Sequence, residues 1–181
     1  MPNLPTTTPT PRPANRRCRA SHLLALAFVW CAATGAAHAQ LTDDPEWQES
    51  QVPPPPAFDL KRLLPIEMPP YMSLKFGVDP ATLAITPDGI VRYVVVATSN
   101  SGAVNAYYEG VRCTTDEVKV YARSSGGAWE MVSSPEWKRI SDLNSRYTKA
   151  LAFQSVCRGR APRASTGDML RELKRSEILT N

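Results

Sequence analysis

The chain has 181 residues, with 21 Lys and Arg against 17 Asp and Glu, and only two histidines. The whole excess of +4 is matched by Arg12, Arg16, Arg17 and Arg19, so the basic isoelectric point belongs to the N-terminus and gives no support to a nucleic-acid partner. His22 and His38 lie in that same leader, so residues 40–181 have no imidazole, which excludes Ser–His and Cys–His nucleophile systems and histidine-ligated zinc.

Residues 1–39 read as a disordered leader followed by a secretory signal peptide. Residues 1–13 are rich in Pro and Thr. Three arginines then precede an apolar run at 23–33, and the stretch closes on Ala37-His38-Ala39, a small-x-small exit. The run is too short to persist as a bilayer span. Cleavage after Ala39 leaves Gln40 as the new N-terminus of a soluble periplasmic protein with no integral membrane span. Trp30 stands where a lipid-attachment signal before Cys31 needs a small residue, so no lipoprotein is expected.

Residues 40–70 form a Pro-rich extended segment. Asp43-Asp44-Pro45-Glu46-Trp47 is acidic with one aromatic, and residues 53–56 are all proline, which favours polyproline II. Pro65, Pro69 and Pro70 exclude a long helix. Phe58, Leu60, Leu63, Leu64 and Ile66 are too apolar for a free tail, so the segment is expected to pack along the surface of the domain that follows.

Residues 71–158 read as an α+β domain, an antiparallel β-meander of about five or six strands with one main C-terminal helix packed on it. Short strands are predicted at 74–78 and 82–85, with a tight turn at Pro87-Asp88-Gly89. Residues 90–98, Ile-Val-Arg-Tyr-Val-Val-Val-Ala-Thr, are the clearest strand, and their near-continuous apolarity predicts a central position covered on both sides. Strands at 103–113, with a bulge at Gly110, at 118–123 and at 128–132 complete the meander. The helix is predicted from an N-cap at Ser141, with Leu143, Tyr147, Ala150, Leu151 and Gln154 on one side and Gly159 terminating it. Residues 159–181 read as a basic tail with a short, frayed, solvated helix around Met169, Leu170 and Leu173, capped by Ser165 or Thr166.

Cys18 and Cys31 leave with the leader, so Cys113 and Cys157 remain. Two cysteines in an oxidising compartment form one bridge, here fastening helix to sheet. A reactive thiol pair or a metal site is the functional alternative, without CxxC spacing or histidine to support it.

Several short runs together carry a resemblance: Asp43-Asp44-Pro45-Glu46-Trp47, Asp88-Gly89-x-Val91-Arg92-Tyr93, Ser101-Gly102-Ala103-x-Asn105, Glu109-Gly110-x-Arg112-Cys113, Lys119-x-Tyr121-Ala122 and Trp129. From Asp43 to Cys157 the chain resembles the cryptic neisserial protein one-like family, exported proteins of Gram-negative bacteria. The resemblance implies export and domain extent. It supplies no catalytic residues.

No Gly-rich phosphate loop follows a strand and no four-cysteine set exists, so neither cofactor nor metal is expected. Carboxylate chemistry remains as one reading. Glu109, Asp116 and Glu117 could share the acid and base roles of glycoside cleavage, making the protein a carboxylate-dependent carbohydrate-active hydrolase. Against it, Glu109 is expected in a local ion pair with Arg112, and Asp116 and Glu117 in a solvated turn, contexts that keep carboxylates charged. The second reading is aromatic and basic: Tyr107, Arg112, Tyr121, Arg123, Trp129 and Trp137 interleave rings with guanidinium groups, which suits an envelope protein or a glycan as partner. A non-catalytic envelope binding module is the expectation.

Overall fold

A computed structural model of the chain describes residues 47–180, with side chains through Arg175. The signal peptide, its cleavage position and the Asp43-Asp44 pair lie outside the described residues. In chain order the strands are β1 (Leu64–Ile66), β2 (Leu74–Val78), β3 (Ala84–Ile85), β4 (Ile90–Ser99), β5 (Val104–Arg112), β6 (Glu117–Ser124), β7 (Glu130–Met131) and β8 (Lys138–Arg139). They form one antiparallel sheet, β1-β2-β4-β5-β6-β7, with β3 also on β4 and β8 also on β6. A short helix α1 (Tyr147–Leu151) follows, then the ribbon β9 (Cys157–Arg158) and β10 (Ala161–Pro162), and last helix α2 (Thr166–Thr180).

Strand β4 has the central place its apolarity predicted. Residues 90–97 are all buried, so both faces of the strand are covered. Val91, Tyr93, Val95 and Ala97 join the larger core, which α1 covers with Tyr147 and Leu151, the turn after it with Val156, and α2 with Met169 and Leu173. Val94 and Val96 point the other way, into a smaller core with Ala106, Tyr108 and Tyr121 under Val52, Phe58 and Leu63.

The segment before the domain packs along it and also supplies an edge. Leu60–Arg62 makes one 3-10 turn capped by Asp59, and Leu64–Ile66 pairs with β2, with Pro65 opposite Gly77 at the sheet margin, where a missing N–H is tolerated. Buried Asp79 holds this end of the segment, accepting hydrogen bonds from the Arg62 guanidinium at 2.7 Å and the Asp59 N–H at 2.8 Å.

The main helix differs from expectation at both ends. Ser141 lies in a separate 3-10 turn, Ile140–Asp142, and the helix begins at Tyr147 behind Arg146, with no side-chain cap. Leu143, Tyr147, Ala150 and Leu151 still pack on the larger core, because the turn delivers Leu143 to the same side, while the Gln154 amide bonds the main chain of Glu67. After Leu151 the backbone widens into a π turn, Ala152–Val156. Gly159 turns the β9–β10 ribbon at φ +61° and does not end the helix directly.

The tail helix is a second correction. Helix α2 is not a frayed, solvated end: Met169 and Leu173, one turn apart, are buried in the larger core. Ser165 caps it by accepting from the Asp168 N–H at 3.1 Å, and the Ser155 hydroxyl donates to the Met169 carbonyl at 2.8 Å. Cys113, just past β5, is bonded to Cys157, just past the π turn, with Cα atoms 5.7 Å apart.

Candidate functional site

Three places in the molecule gather chemistry. The first is a cradle on the sheet face opposite the helices, filled by residues 47–51 of the lead-in strap. Arg92, Arg112, Lys119 and Tyr121 reach this face from β4, β5 and β6, and Trp137 closes it from just before β8. The Glu49 carboxylate accepts from Lys119 Nζ and from the Tyr121 hydroxyl, each at 2.6 Å, and lies 3.6 Å from Arg92 Nη2. Arg92, only 2% exposed, also donates to the Ser50 carbonyl at 3.0 Å. Trp47 lies under the Arg112 guanidinium, 3.7 Å from the ring centroid, and meets Trp137 edge-on. Asp88 ties both ends of this stretch: its carbonyl accepts from Trp47 Nε1 at 3.0 Å and its carboxylate from the Ser50 N–H at 2.6 Å.

Burial works against both cradle carboxylates, and bonding overcomes it. Asp88 is held at about 2 because hydrogen bonds from Thr86, Ser50 and Ile90 outweigh desolvation. Glu49 is likewise lowered, with Lys119 and Tyr121 as the main donors. The Nε of Arg92 and the Nε of Arg112 are buried without an acceptor among the described residues. An unmet buried donor costs about 1–3 kcal/mol.

The sheet geometry explains the cradle. Arg92 faces Gly110 across the β4–β5 pair, and a Cβ on Gly110 would lie 2.5 Å from the Tyr121 hydroxyl and 2.9 Å from Ile90 Cγ2. The expected bulge at Gly110 lies instead in β6, where Tyr121 is the extra residue between the pairs Tyr108–Ala122 and Glu109–Val120. Gly110 leaves room for the Tyr121 ring. The bulge also shifts the alternation, so that Tyr121 and Arg123 serve opposite faces.

The second place is Glu109, 1% exposed. The expected ion pair with Arg112 is absent because residues three apart on a strand point to opposite faces. Arg112 goes to the cradle and lies 4.0 Å from Glu117, while Glu109 goes under the helices. There Tyr93, directly opposite on β4, donates to one oxygen at 3.2 Å, and Tyr147 of α1 donates to the other. Desolvation raises the carboxyl to about 7 even though both phenols and the charge of Arg123 favour its ionised form. Burial and the adjacent carboxyl push both phenols up in turn, so they remain donors.

The third place is a groove beside the disulfide. One hollow of about 240 Å³ is lined by Ile140, Ala152, Phe153 and Cys157, with Asp116, Arg139 and Lys149 among its polar walls. A second, of about 500 Å³, continues past Ile140, Ser141 and Lys149 to Met68, Leu143 and Arg146. Phe153 stands on the π turn, 71% exposed. Such turns recur at functional sites. Neither Lys149 nor Arg139 pairs with a carboxylate among the described residues.

The six residues singled out from the sequence therefore do not form one surface. Arg112, Tyr121 and Trp137 meet at Trp47 and Glu49. Trp129 packs edge-on against Phe58 further along the strap. Tyr107 and Arg123, paired across β5 and β6, lie on the helix side, with Tyr107 stacked near Tyr147. Of the carboxylates, Glu109 and Glu117 are on opposite faces, and Asp116 sits in a turn at φ +54°. Among the described residues no three His, Cys, Asp or Glu could hold a metal ion, and no helix is long and apolar enough to cross a membrane.

A model of the CNP1-like family matches residues 42–174. The chain belongs to the CNP1-like family. No curated protein and no solved structure matches it. The structure gives physical meaning to the runs that carry the family resemblance. Trp47, Asp88, Arg92, Gly110, Arg112, Lys119 and Tyr121 all take part in clasping the strap or make room for it. Tyr93 and Glu109 build the buried carboxyl, and Cys113 the bridge. Sequence reasoning missed Arg92, Lys119 and Glu49 as one charge cluster. Its signal was present: a lone arginine inside the apolar run 90–98 needs an anionic partner once that strand is buried. The groove left no comparable signal, because Phe153 and Lys149 look ordinary on a helix.

Proposed function

We propose that this CNP1-like protein is an exported, periplasmic, non-catalytic interaction module of the cell envelope, and that it engages an acidic segment of an envelope protein through the groove beside the disulfide. The carrying observation is the groove's composition: a half-open apolar floor with exposed Phe153, rimmed by Lys149 and Arg139, which pair with no carboxylate among the described residues, against the single acid Asp116 on the same wall. An apolar side chain with a neighbouring carboxylate complements both features. The openness of the two hollows favours an extended peptide over a ligand that needs enclosure. Export rests on the leader pattern, and an N-terminus at Gln40 in protein purified from the native envelope is its expected mark.

The non-catalytic part of the reading is supported by the disposition of the acids. A glycoside hydrolase needs two carboxyl groups flanking one bond. Glu109, whose raised carboxyl would otherwise suit a general acid, is enclosed under Tyr147, with Glu117 on the far face of the sheet. Purified protein is expected to turn over neither peptidoglycan nor simple ester, phosphate or glycoside substrates. Turnover lost in a folded Glu109→Gln variant would reverse this.

The binding reading is tested in the native envelope with a photoreactive phenylalanine analogue at position 153. A discrete cross-linked protein, lost when Lys149→Glu is added, is the expected result. Equal cross-linking from a probe at Lys75 on β2 would sink the groove as the site. A product that disappears after glycan digestion would make the partner a glycan instead.

A further inference from the structure

The cradle on the opposite face carries an inference independent of the groove. Residues 47–51 have no regular secondary structure, and every cradle contact made by them involves a side chain on at least one side. The segment lies on the sheet as a bound peptide would. It turns Trp47 and Glu49 inward and leaves Gln48 and Gln51 exposed. Behind it run four consecutive prolines, an extended tether with little conformational freedom of its own. The cradle uses the parts a peptide-recognition site uses: a guanidinium over the indole, a lysine and a tyrosine hydroxyl on the carboxylate, and a buried arginine on the main-chain carbonyls.

We propose that this cradle is a peptide-recognition site whose resident ligand is the chain's own strap, and that its partner in trans is an acidic–aromatic segment presenting Trp and Glu two residues apart. A tethered ligand has the advantage of high effective concentration, so the strap occupies the site by default. The advantage is not absolute, because the strap leaves the buried Nε groups of Arg92 and Arg112 without acceptors. An incoming segment whose carbonyl or carboxylate oxygens reach those donors gains what the strap forgoes. Displacement would uncover Arg92, Arg112, Lys119, Tyr121 and Trp137 together. Arg112, Tyr121 and Trp137, three of the six residues singled out from the sequence, line this cradle, and the strap lies over them.

The probe is a labelled synthetic peptide of residues 46–58, titrated against the full chain. Binding is expected to be at least tenfold tighter to a Trp47→Ala, Glu49→Ala variant than to the native chain, because the variant's own strap no longer competes. Adding Lys119→Met should weaken it at least tenfold again, and Lys149→Glu in the groove should leave it unchanged. That last arm separates failure here from failure of the groove reading. Equally weak binding to native and strap-variant chains, both with intact near-ultraviolet circular dichroism, would overturn the proposal. If the strap variant does not fold, a protease site placed between Pro54 and Pro55 of the otherwise native chain supplies the second measurement. After cleavage, incorporation of the labelled peptide supports an exchangeable ligand. A cleaved strap that never exchanges while the domain stays folded shows a fixed structural element and overturns it.

Discussion

The two faces of the sheet are covered in different ways. On one side α1, the π turn and α2 bury Leu151, Val156, Met169 and Leu173 against Val91, Tyr93 and Val95, and the Cys113–Cys157 bridge ties helix to sheet covalently. On the other side a strap without secondary structure is held by Glu49, Asp88, Arg92 and Lys119, with smaller apolar support from Val52 and Phe58. Apolar burial is roughly proportional to area and is not screened by salt, whereas a charge clasp depends on geometry and is screened. The helix side is therefore built to stay closed, and the strap side is held by interactions that a competing ligand or a change of ionic conditions can weaken.

The largest expected effect is on the helix side. The bridge closes a loop of 44 residues, for which chain entropy gives about 4 kcal/mol of stabilisation. A Cys113→Ser, Cys157→Ser variant is expected to lose stability of that order in urea denaturation while the strap contacts persist. Their persistence can be read from Trp47 fluorescence under Arg112. Loss of less than about 1 kcal/mol would mean that apolar packing alone holds the helices, and the contrast between the faces would shrink.

The buried carboxyl gives the next effect, and its sign is opposite to that of the cradle acids. Glu109 titrates at about 7 in the folded protein against 4.5 ordinarily, with Tyr93, Tyr147 and Arg123 as the groups around it. The folded state holds this proton more tightly than the unfolded one. Its stabilisation is complete below pH 4.5, falls as pH rises through 7, and is absent above, a change of about 3 kcal/mol. A Glu109→Gln variant should flatten that part of the stability–pH curve, between pH 4.5 and about 7. Asp88 and Glu49 are lowered, so their contribution is present at neutral pH and is lost as pH falls toward about 2 for Asp88. Mild acid is thus expected to favour the helix side while leaving the clasp intact, and only strong acid to loosen the strap.

How much of this was legible in the sequence follows from the range of the interactions concerned. The meander, the central strand 90–98 and the disulfide depend on local alternation, turn residues and cysteine number, and these are visible along the chain. The tail was misread because its apolar residues are scattered along a helix rich in charge, and the burial of Met169 and Leu173 depends on the π turn and on β1, about a hundred residues earlier in the chain. Glu109 was misread because its neighbour in sequence, Arg112, is not its neighbour in space; strand alternation alone would have separated them. Tyr121 and Arg123 have the same parity in sequence, and only the bulge sends them to opposite faces. The groove joins Asp116, Ile140 and Phe153, and no pattern along the chain anticipates that meeting.

Gly110 tests the strap side without touching a charge. A methyl group there would collide with the Tyr121 ring and Ile90, so Gly110→Ala is expected to cost about 1–3 kcal/mol through overpacking. It should also shift the Tyr121 hydroxyl off Glu49. A variant as stable as the native chain would mean that Tyr121 can yield without loss, and that the glycine is not needed for the cradle.

The smallest effect in stability is the most informative about the comparison. Glu49→Gln keeps the size of the side chain and its acceptor oxygen for Tyr121 but removes the charge facing Lys119 and Arg92. Lys119 retains 14% side-chain exposure and Glu49 15%, so the pair is neither free in water nor fully desolvated, and about 1 kcal/mol is the expected loss. That is too little to unfold a domain held on its other side by two helices and a bridge. The loss should therefore appear locally: faster amide exchange at Ser50, whose N–H bonds Asp88, with the amides of β4 and β5 unchanged. Raising salt from about 0.05 to 0.5 M should speed Ser50 exchange in the native chain and much less in the variant, because screening acts on the charge the variant lacks. If Ser50 instead exchanges only with global unfolding in both proteins, the strap is as firmly held as the helices, and the two faces do not differ in the way their chemistry implies.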